Sequence, residues 1–400
     1  MLCKLLVSTY LAFLLTSAAG IHLPCDALLS DSAFTQVYDA EYMRYAAFGD
    51  SWASGANYGP PNENLEYDFS NNEELCRCRR VNEAYPVQLR DDRNISWTSG
   101  KKLDLDFVAC HGAFFDAIPD QVERLNQSIA PRLATLMIGG NNGGFPDIIE
   151  NCIYQPDKYK DYGPEYPDPR GECFKALQRV RRAVTSWSFL KGIQDSINAI
   201  LSKPRIERDP NFRLYVLGYA GPFNHDDHAC DDWSFGVWPG KQQKLSTVLR
   251  KDINLVIDAG RFLYDKLINR VLRNPKVSYV DINAAFANHR FCEPTKEGTQ
   301  AAQAANSWLR SLEWTGCIPL VQQDVVQDTP LMAASWPEFC HKCGDIGQLG
   351  EVQRPFHPKP EGHEAIKDVL EAVLRSEGWI AGDVSGLALE VYADFPANRI

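Results

Sequence analysis

Four short stretches of this chain carry residue types that together could perform acyl chemistry. Gly49-Asp50-Ser51 closes the apolar run Tyr45-Ala46-Ala47-Phe48 and is followed by small residues. A serine delivered at the end of a buried strand opens a helix, where free N–H groups favour a developing negative charge. In an open parallel sheet that edge is also where ligands bind. Ala109-Cys110-His111-Gly112-Ala113 follows a second β-type run and reads as a tight turn in which Gly112 presents a bare N–H. After a third run comes Ile138-Gly139-Gly140-Asn141-Asn142-Gly143-Gly144. Its glycines let backbone approach a ligand, and Asn141 offers a side-chain N–H₂. Pro355-Phe356-His357-Pro358-Lys359-Pro360 puts a histidine in a Pro-stiffened loop before a helix. Alone, each has an ordinary structural use: an N-cap at Ser51 or Asp50, a turn glycine, a capping asparagine, a surface histidine. Together they form a mechanism. Ser51 is the nucleophile and His357 the base, and Ser51 N–H, Gly112 N–H and the Asn141 side chain surround an oxyanion.

The elements that must position these groups alternate between strand and helix. Expected strands are Tyr45–Phe48, Asp106–Ala109, Leu133–Ile138, Phe212–Leu217 and Val277–Ile282. Phe174, Leu177, Val180, Val184, Trp187, Ile193, Ile197 and Leu201 recur at helical spacing until Pro204 ends the run. Leu245, Leu249, Ile253, Val256, Leu263, Leu267 and Val271 mark one face of a second long helix, and Glu361–Ser376 reads as the last. Such alternation predicts a mostly parallel sheet covered on both faces. Asn57–Asn72 and Tyr154–Arg170 read as long surface loops, and Lys296–Cys343 as an irregular insertion. No stretch reads as an interdomain linker, so residues 21–400 are expected to form a single domain with insertions.

The first twenty residues read as a signal peptide. Lys4 precedes the apolar Leu5–Leu15, and Ser17-Ala18-Ala19-Gly20 supplies small residues for cleavage. No segment approaches the ~20 uninterrupted apolar residues of a membrane span, so a secreted, soluble, monomeric protein is expected. Losing Lys4 takes the formal net charge from −11 to −12. That acidity argues against a nucleic-acid partner. Of 12 cysteines, Cys3 would leave with the leader, and the rest suit disulfides in an oxidising compartment. Asn94-Ile95-Ser96 and Asn126-Gln127-Ser128 are sequons for N-glycosylation.

In this order Gly49-Asp50-Ser51, Gly112, Gly139-Gly140-Asn141 and His357-Pro358 resemble the four blocks of the SGNH (GDSL-like) hydrolases. The resemblance runs from about Tyr45 to Ser376. Cys76-Arg77-Cys78-Arg79…Ala84-Tyr85-Pro86 and Ala285-Phe286-Ala287-Asn288-His289-Arg290-Phe291-Cys292 are similar to stretches of the secreted, disulfide-bonded Ser–His esterase subgroup. The resemblance implies a flavodoxin-like three-layer α/β/α sandwich on a mostly parallel five-stranded sheet with long loop insertions. It also implies a serine esterase mechanism without metal or organic cofactor. Three positions depart from the family pattern: Asn142 stands where Asp is common, His111 where Ser is usual, and Arg354 where most members carry Asp. The subgroup orients its histidine with a main-chain carbonyl, which implies the carbonyl of Arg354, although Glu351 or Asp345 could also fold back to do so.

The cysteines bracket loops, so Cys152 is expected to bond Cys173, and Cys110 to bond Cys76 or Cys78. His225-Asp226-Asp227-His228 and Cys340-His341-Lys342-Cys343 are candidate metal ligands, but structural zinc needs four convergent ligands, usually in two paired halves. Asp226, Asp227, Asp231 and Asp232 read as a solvated acidic loop that could shape a substrate mouth. The expected activity is hydrolysis of a lipid ester, an acetylated polysaccharide or another small ester. A secreted binding or effector protein on the same fold, with little or no catalysis, is the rival reading. No Gly-x-Ser-x-Gly elbow occurs, which counts against the α/β-hydrolase topology.

Overall fold

The computed structural model describes residues 41–56, 78–125, 130–155, 157, 159–235, 243–310 and 356–382. The chain divides into two units, Met1–Tyr42 and Met43–Ile400, and the second holds the sheet. Five strands, β1 (Tyr42–Gly49), β2 (Lys102–Phe107), β3 (Leu133–Met137), β4 (Arg213–Leu217) and β5 (Val277–Val280), form that sheet in the order β2-β1-β3-β4-β5. β1 runs parallel to β3, β3 to β4 and β4 to β5. Tyr45 lies opposite Leu133, and Leu133 opposite Arg213. The chain steps from β1 out to β2 and then back across to β3. The switch point therefore falls between the carboxyl ends of β1 and β3, where Gly49 lies opposite Met137. In such sheets this crevice is the place for a ligand.

Helices α1 (Ser51–Ser54), α2 (Tyr85–Asp91), α3 (Ile118–Glu123), α4 (Phe145–Ile148), α5 (Glu172–Val184), α6 (Trp187–Leu201), α7 (Pro204–Arg208), α8 (Thr247–Lys266), α9 (Gln300–Asn306) and α10 (Pro360–Ser376) connect and cover the strands. β3 is wholly buried. That is why its sequence, Thr135 apart, is apolar throughout rather than alternating.

β2 begins earlier than the apolar signal, because Lys102, Asp104 and Asp106 alternate with buried Leu103, Leu105 and Phe107. It is an edge strand with one solvated face, and Arg44 of β1 pairs with Asp104 and Asp106 at 3.3 and 3.0 Å. The expected helix through 174–201 is two helices. Ser186 accepts the N–H of Phe189 through its side chain and so caps a new helix start. Trp187, placed on the buried face by spacing alone, is 74% exposed. Within the expected irregular insertion, Gln300–Asn306 is helical and Leu309 bridges antiparallel to Pro358. Residues 311–350 lie outside the described part, as does the expected loop Asn57–Asn72.

Cys152 is bonded to Cys173 and Cys110 to Cys78. A third bond, Cys230–Cys292, is one for which the sequence raises no expectation. Each restricts the unfolded chain and contributes roughly 2–4 kcal/mol, in a model-dependent way. No helix among the described residues is long and apolar enough to cross a membrane.

Candidate active site

β1 ends at Gly49, whose φ of 140° and contact with Met137 exclude any side chain: an added Cβ would lie 2.1 Å from the Met137 carbonyl oxygen. Its N–H and C=O are both held by the Gln121 amide, at 2.9 and 2.8 Å. Asp50 then caps the single turn of α1, accepting the Trp52 N–H at 3.0 Å. Ser51 thereby becomes the first residue of that turn. Its Oγ lies 2.7 Å from Nε2 of His357. Both residues are buried, yet both line an open cleft. For Nε2 to accept the serine proton, the imidazole must carry its hydrogen on Nδ1. The groups expected to hold Nδ1 (the Arg354 carbonyl, Glu351 or Asp345) lie outside the described residues.

The His357 loop has its own support. Arg310 N–H donates to the His357 carbonyl at 2.8 Å, Phe356 N–H to the Arg310 carbonyl at 3.0 Å, and Lys359 N–H to the Trp308 carbonyl at 2.8 Å. Phe356 has a φ of 67°, a left-handed conformation uncommon for a bulky residue. Its ring is fully buried among Phe145, Phe223 and Phe291, at centroid distances of 6.0, 5.4 and 5.2 Å. Aromatic burial on this scale stabilises the fold by enough to hold the backbone there.

Of the two glycine turns, His111 of the first and Gly139, Gly140 and Asn141 of the second line the cleft with Ser51, whereas Gly112 is not among the lining residues. Gly112 has φ +74° with open space where a Cβ would point, so the conformation and not crowding demands glycine. The turn that carries it is tied to β1, with Cys110 N–H donating to the Gly49 carbonyl at 3.0 Å. Asn141 Nδ2 donates to the Ala113 carbonyl at 2.9 Å, which leaves its second amide hydrogen for another acceptor. Asn142 Oδ1 accepts the Phe115 N–H at 3.0 Å. The common Asp of the family would offer the same acceptor, so the amide at this position keeps the contact. His111 lines the cleft with its ring centroid 6.4 Å from that of His357.

Tyr219, just past β4, is a site residue that sequence reasoning misses. Its hydroxyl donates to Asp50 Oδ2 at 2.5 Å and accepts the Gly140 N–H at 3.1 Å, linking the serine turn to the Gly139–Asn141 turn. A signal exists: a polar-tipped aromatic in Gly218-Tyr219-Ala220-Gly221 at a strand's carboxyl end. Burial raises the Asp50 pKa to about 7, although the Tyr219 hydroxyl and the Trp52 and Gly140 N–H groups pull it down. The folded protein thus binds this proton more tightly than the unfolded chain. The Asp50 contribution to stability is fully present below about pH 4 and is lost as pH rises through about 7. Asp50→Asn cannot titrate. Between pH 5 and 8 its unfolding free energy relative to wild type should shift by about 3 kcal/mol in the variant's favour. Urea unfolding across that range measures it, and a pH-independent gap would mean a carboxylate charged throughout.

The acidic loop after β4 is not simply solvated. Asp231 pairs at 2.8 Å with Arg250, which is completely buried, and also accepts from Thr247. Burial would raise its pKa, but hydrogen bonds from His228, Thr247 and Arg250 outweigh that and hold it well below the usual range. His228 Nδ1 lies 2.8 Å from Asp231, whereas His225 Nδ1 lies 2.9 Å from Asn254, so the two histidines are tied to different groups. Cys340 and Cys343 lie outside the described residues. Among the described residues no three His, Cys, Asp or Glu side chains converge as a metal site would require.

From Ser51 a cleft of about 290 Å³ runs between α5 and α8, lined largely by apolar side chains such as Phe145, Val180, Val184, Phe189, Val256 and Ile257. A serine hydroxyl within hydrogen-bond reach of an imidazole, at the head of an apolar cleft, is an arrangement suited to attack on a carbonyl that carries a hydrocarbon chain.

No family model matches the chain. A lipase of Streptomyces rimosus is 29% identical over 281 residues, 69% of this chain and 84% of the relative. Lipase 1 of Streptomyces coelicolor is 24% identical over 272 residues, 68% and 76% of the two chains. Among solved structures, phospholipase A1 of Streptomyces albidoflavus superposes with a TM-score of 0.52 at 22% identity, covering 82% of this chain and 98% of its own. The extracellular lipase of S. rimosus gives a TM-score of 0.50 at 19% identity, covering 82% and 99%. At these identities the structures speak to the fold, which is the α/β sandwich described above. The sequence relatives, at 24% and 29% identity, are both lipases.

Proposed function

We propose that this protein is an exported serine ester hydrolase acting on lipid esters. The observation that carries the reading is the 2.7 Å approach of Ser51 Oγ to His357 Nε2 at the head of an apolar cleft. Ser51 Oγ attacks the acyl carbonyl as His357 takes its proton. The tetrahedral oxyanion is held by the N–H groups of Ser51 and Gly112 and the free amide hydrogen of Asn141. The proton then passes to the leaving alkoxide, and water, deprotonated in turn by His357, hydrolyses the acyl-enzyme. The lipase relatives and the apolar cleft favour a fatty acyl chain over an acetyl group on a polysaccharide. Export is supported by the leader-like first twenty residues and by three disulfides. Asn94 of the first sequon is exposed, as a glycan acceptor must be.

Purified protein should hydrolyse p-nitrophenyl octanoate with a higher kcat/KM than the acetate, and act poorly on acetylated xylan. Turnover of acetylated xylan alone would replace the lipid reading with a carbohydrate esterase. No turnover of any ester, with saturable binding of octanoate, would leave a binding protein.

A further inference from the structure

α8 turns one face to the cleft, and on that face, in the middle of the helix, stands a glycine. Val256, Ile257, Gly260 and Tyr264 follow one another along the cleft wall at helical spacing. Glycine is unfavourable at such a position relative to alanine, since it loses more backbone freedom on folding. Packing does not demand it. A Cβ built on Gly260 would meet only Val184 Cγ1 at 3.6 Å, an ordinary contact. Its φ is not in the left-handed region either. What the missing side chain leaves is space in the cleft.

That space is continuous with the proposed reaction centre. Val184, opposite Gly260, is also the side chain beneath the third glycine turn, 3.2 Å from where a Cβ on Gly143 would sit. The path therefore leads from Asn141 past Val184 to Gly260. Arg261 also borders the cleft, but its terminal nitrogens are taken by Asp258 and Asp281 at 2.6 Å each. A chain end at Gly260 meets apolar surface rather than an unpaired cation.

We infer that Gly260 sets the length of acyl chain this protein accepts: it leaves the cleft wall flat beside Val184, where any larger side chain would project into the cleft. The inference rests on the ester-hydrolase reading for its substrate, but the cleft can be tested by binding alone. Each methylene buried is worth a factor of about four, or 0.8 kcal/mol. Acyl-chain burial retained in the transition state appears in kcat/KM.

The octanoate-to-acetate ratio of kcat/KM should fall about fourfold in Gly260→Ala and about fiftyfold or more in Gly260→Leu. Val184→Ala, which widens the same cleft from the other side, should raise the ratio of dodecanoate to octanoate. Leu255→Gln, on the solvent face of α8, should leave both ratios unchanged. Calorimetric binding of a series of n-alkyl carboxylates to Ser51→Ala, with and without Gly260→Leu, gives a readout without turnover. There the gain in affinity with chain length should stop several carbons sooner in the double variant. If Gly260→Leu does not fold, Gly260→Ala and Val184→Ala decide the matter. Unchanged chain-length dependence in folded variants, in turnover and in binding, would overturn the inference. A wild type that binds the long carboxylates through Gly260 but hydrolyses no ester would overturn the proposed function and leave the role of Gly260 standing.

Discussion

Ser51→Ala should abolish both turnover and labelling by a fluorophosphonate probe, with a loss in kcat on the order of 10⁴–10⁶. The size follows from what the hydroxyl does. Without Oγ no acyl-enzyme forms, and the remaining oxyanion donors and cleft supply only the residual acceleration of a bound substrate in a polarising site. The fold should tolerate the change. Ser51 lies in a turn whose cap is the Asp50 carboxylate and whose strand is held by Gln121, and neither contact uses Oγ. The variant should therefore keep the wild-type melting temperature and still bind carboxylates in the cleft. Hydrolysis at the parent rate in a folded Ser51→Ala protein would reject the mechanism.

The four chemical stretches and the strands at the middle of the sheet are legible in the sequence because both are local. Tyr45–Phe48 of β1 and the whole of β3 are buried and read as largely apolar runs, Thr135 excepted, that lead into Gly49 and Gly139. Edge strand β2 is read as starting late because only its alternate residues are apolar. The break at Ser186 is hidden by a spacing that continues in register through it; the cap that makes it needs a hydrogen bond to Phe189 that spacing does not encode. Less legible still are the groups that hold the site rigid. Gln121 clamps Gly49 from 72 residues away, and Tyr219 reaches Asp50 across 169. Cys230 and Cys292 are 62 residues apart. Nothing in the local pattern around any of these selects its partner, because the partner is chosen by the sheet order. His357 shows both sides: its loop chemistry points to it, while its support by Trp308 and Arg310 emerges only from an antiparallel bridge within a stretch that reads as irregular.

His357→Ala should cost a similar 10⁴–10⁶ in kcat, because Ser51 then lacks its proton acceptor. His363, six residues on, is the contrast. Its position on the last helix predicts a side chain that points away from Ser51 and is dispensable for turnover. The structure places it within α10, 1% exposed, its ring stacked against Tyr85 at 6.4 Å, with neither ring nitrogen bonded among the described residues. Burial lowers its pKa to about 3, and the charge of Arg310 and the neighbouring His357 push in the same direction. It is therefore neutral at any assay pH and has no path for a proton. Its role is packing. His363→Ala should lose about 2–4 kcal/mol of stability through the cavity left behind, yet retain kcat/KM well below its lowered melting temperature. The sign of the pH effect follows from the depressed pKa: the folded state excludes the proton that the unfolded chain accepts near pH 6.5. Its contribution is present above about pH 6.5 and is lost as pH falls through about 3. His363→Leu, which fills the space without titrating, should gain on wild type by about 1.4 kcal/mol for each pH unit from about 6.5 down to about 3, and no further below that. Kinetics of the alanine variants and acid unfolding of the leucine variant separate the two histidines. A folded His363→Ala protein without activity, beside an active His357→Ala, would mean that the base is the other one.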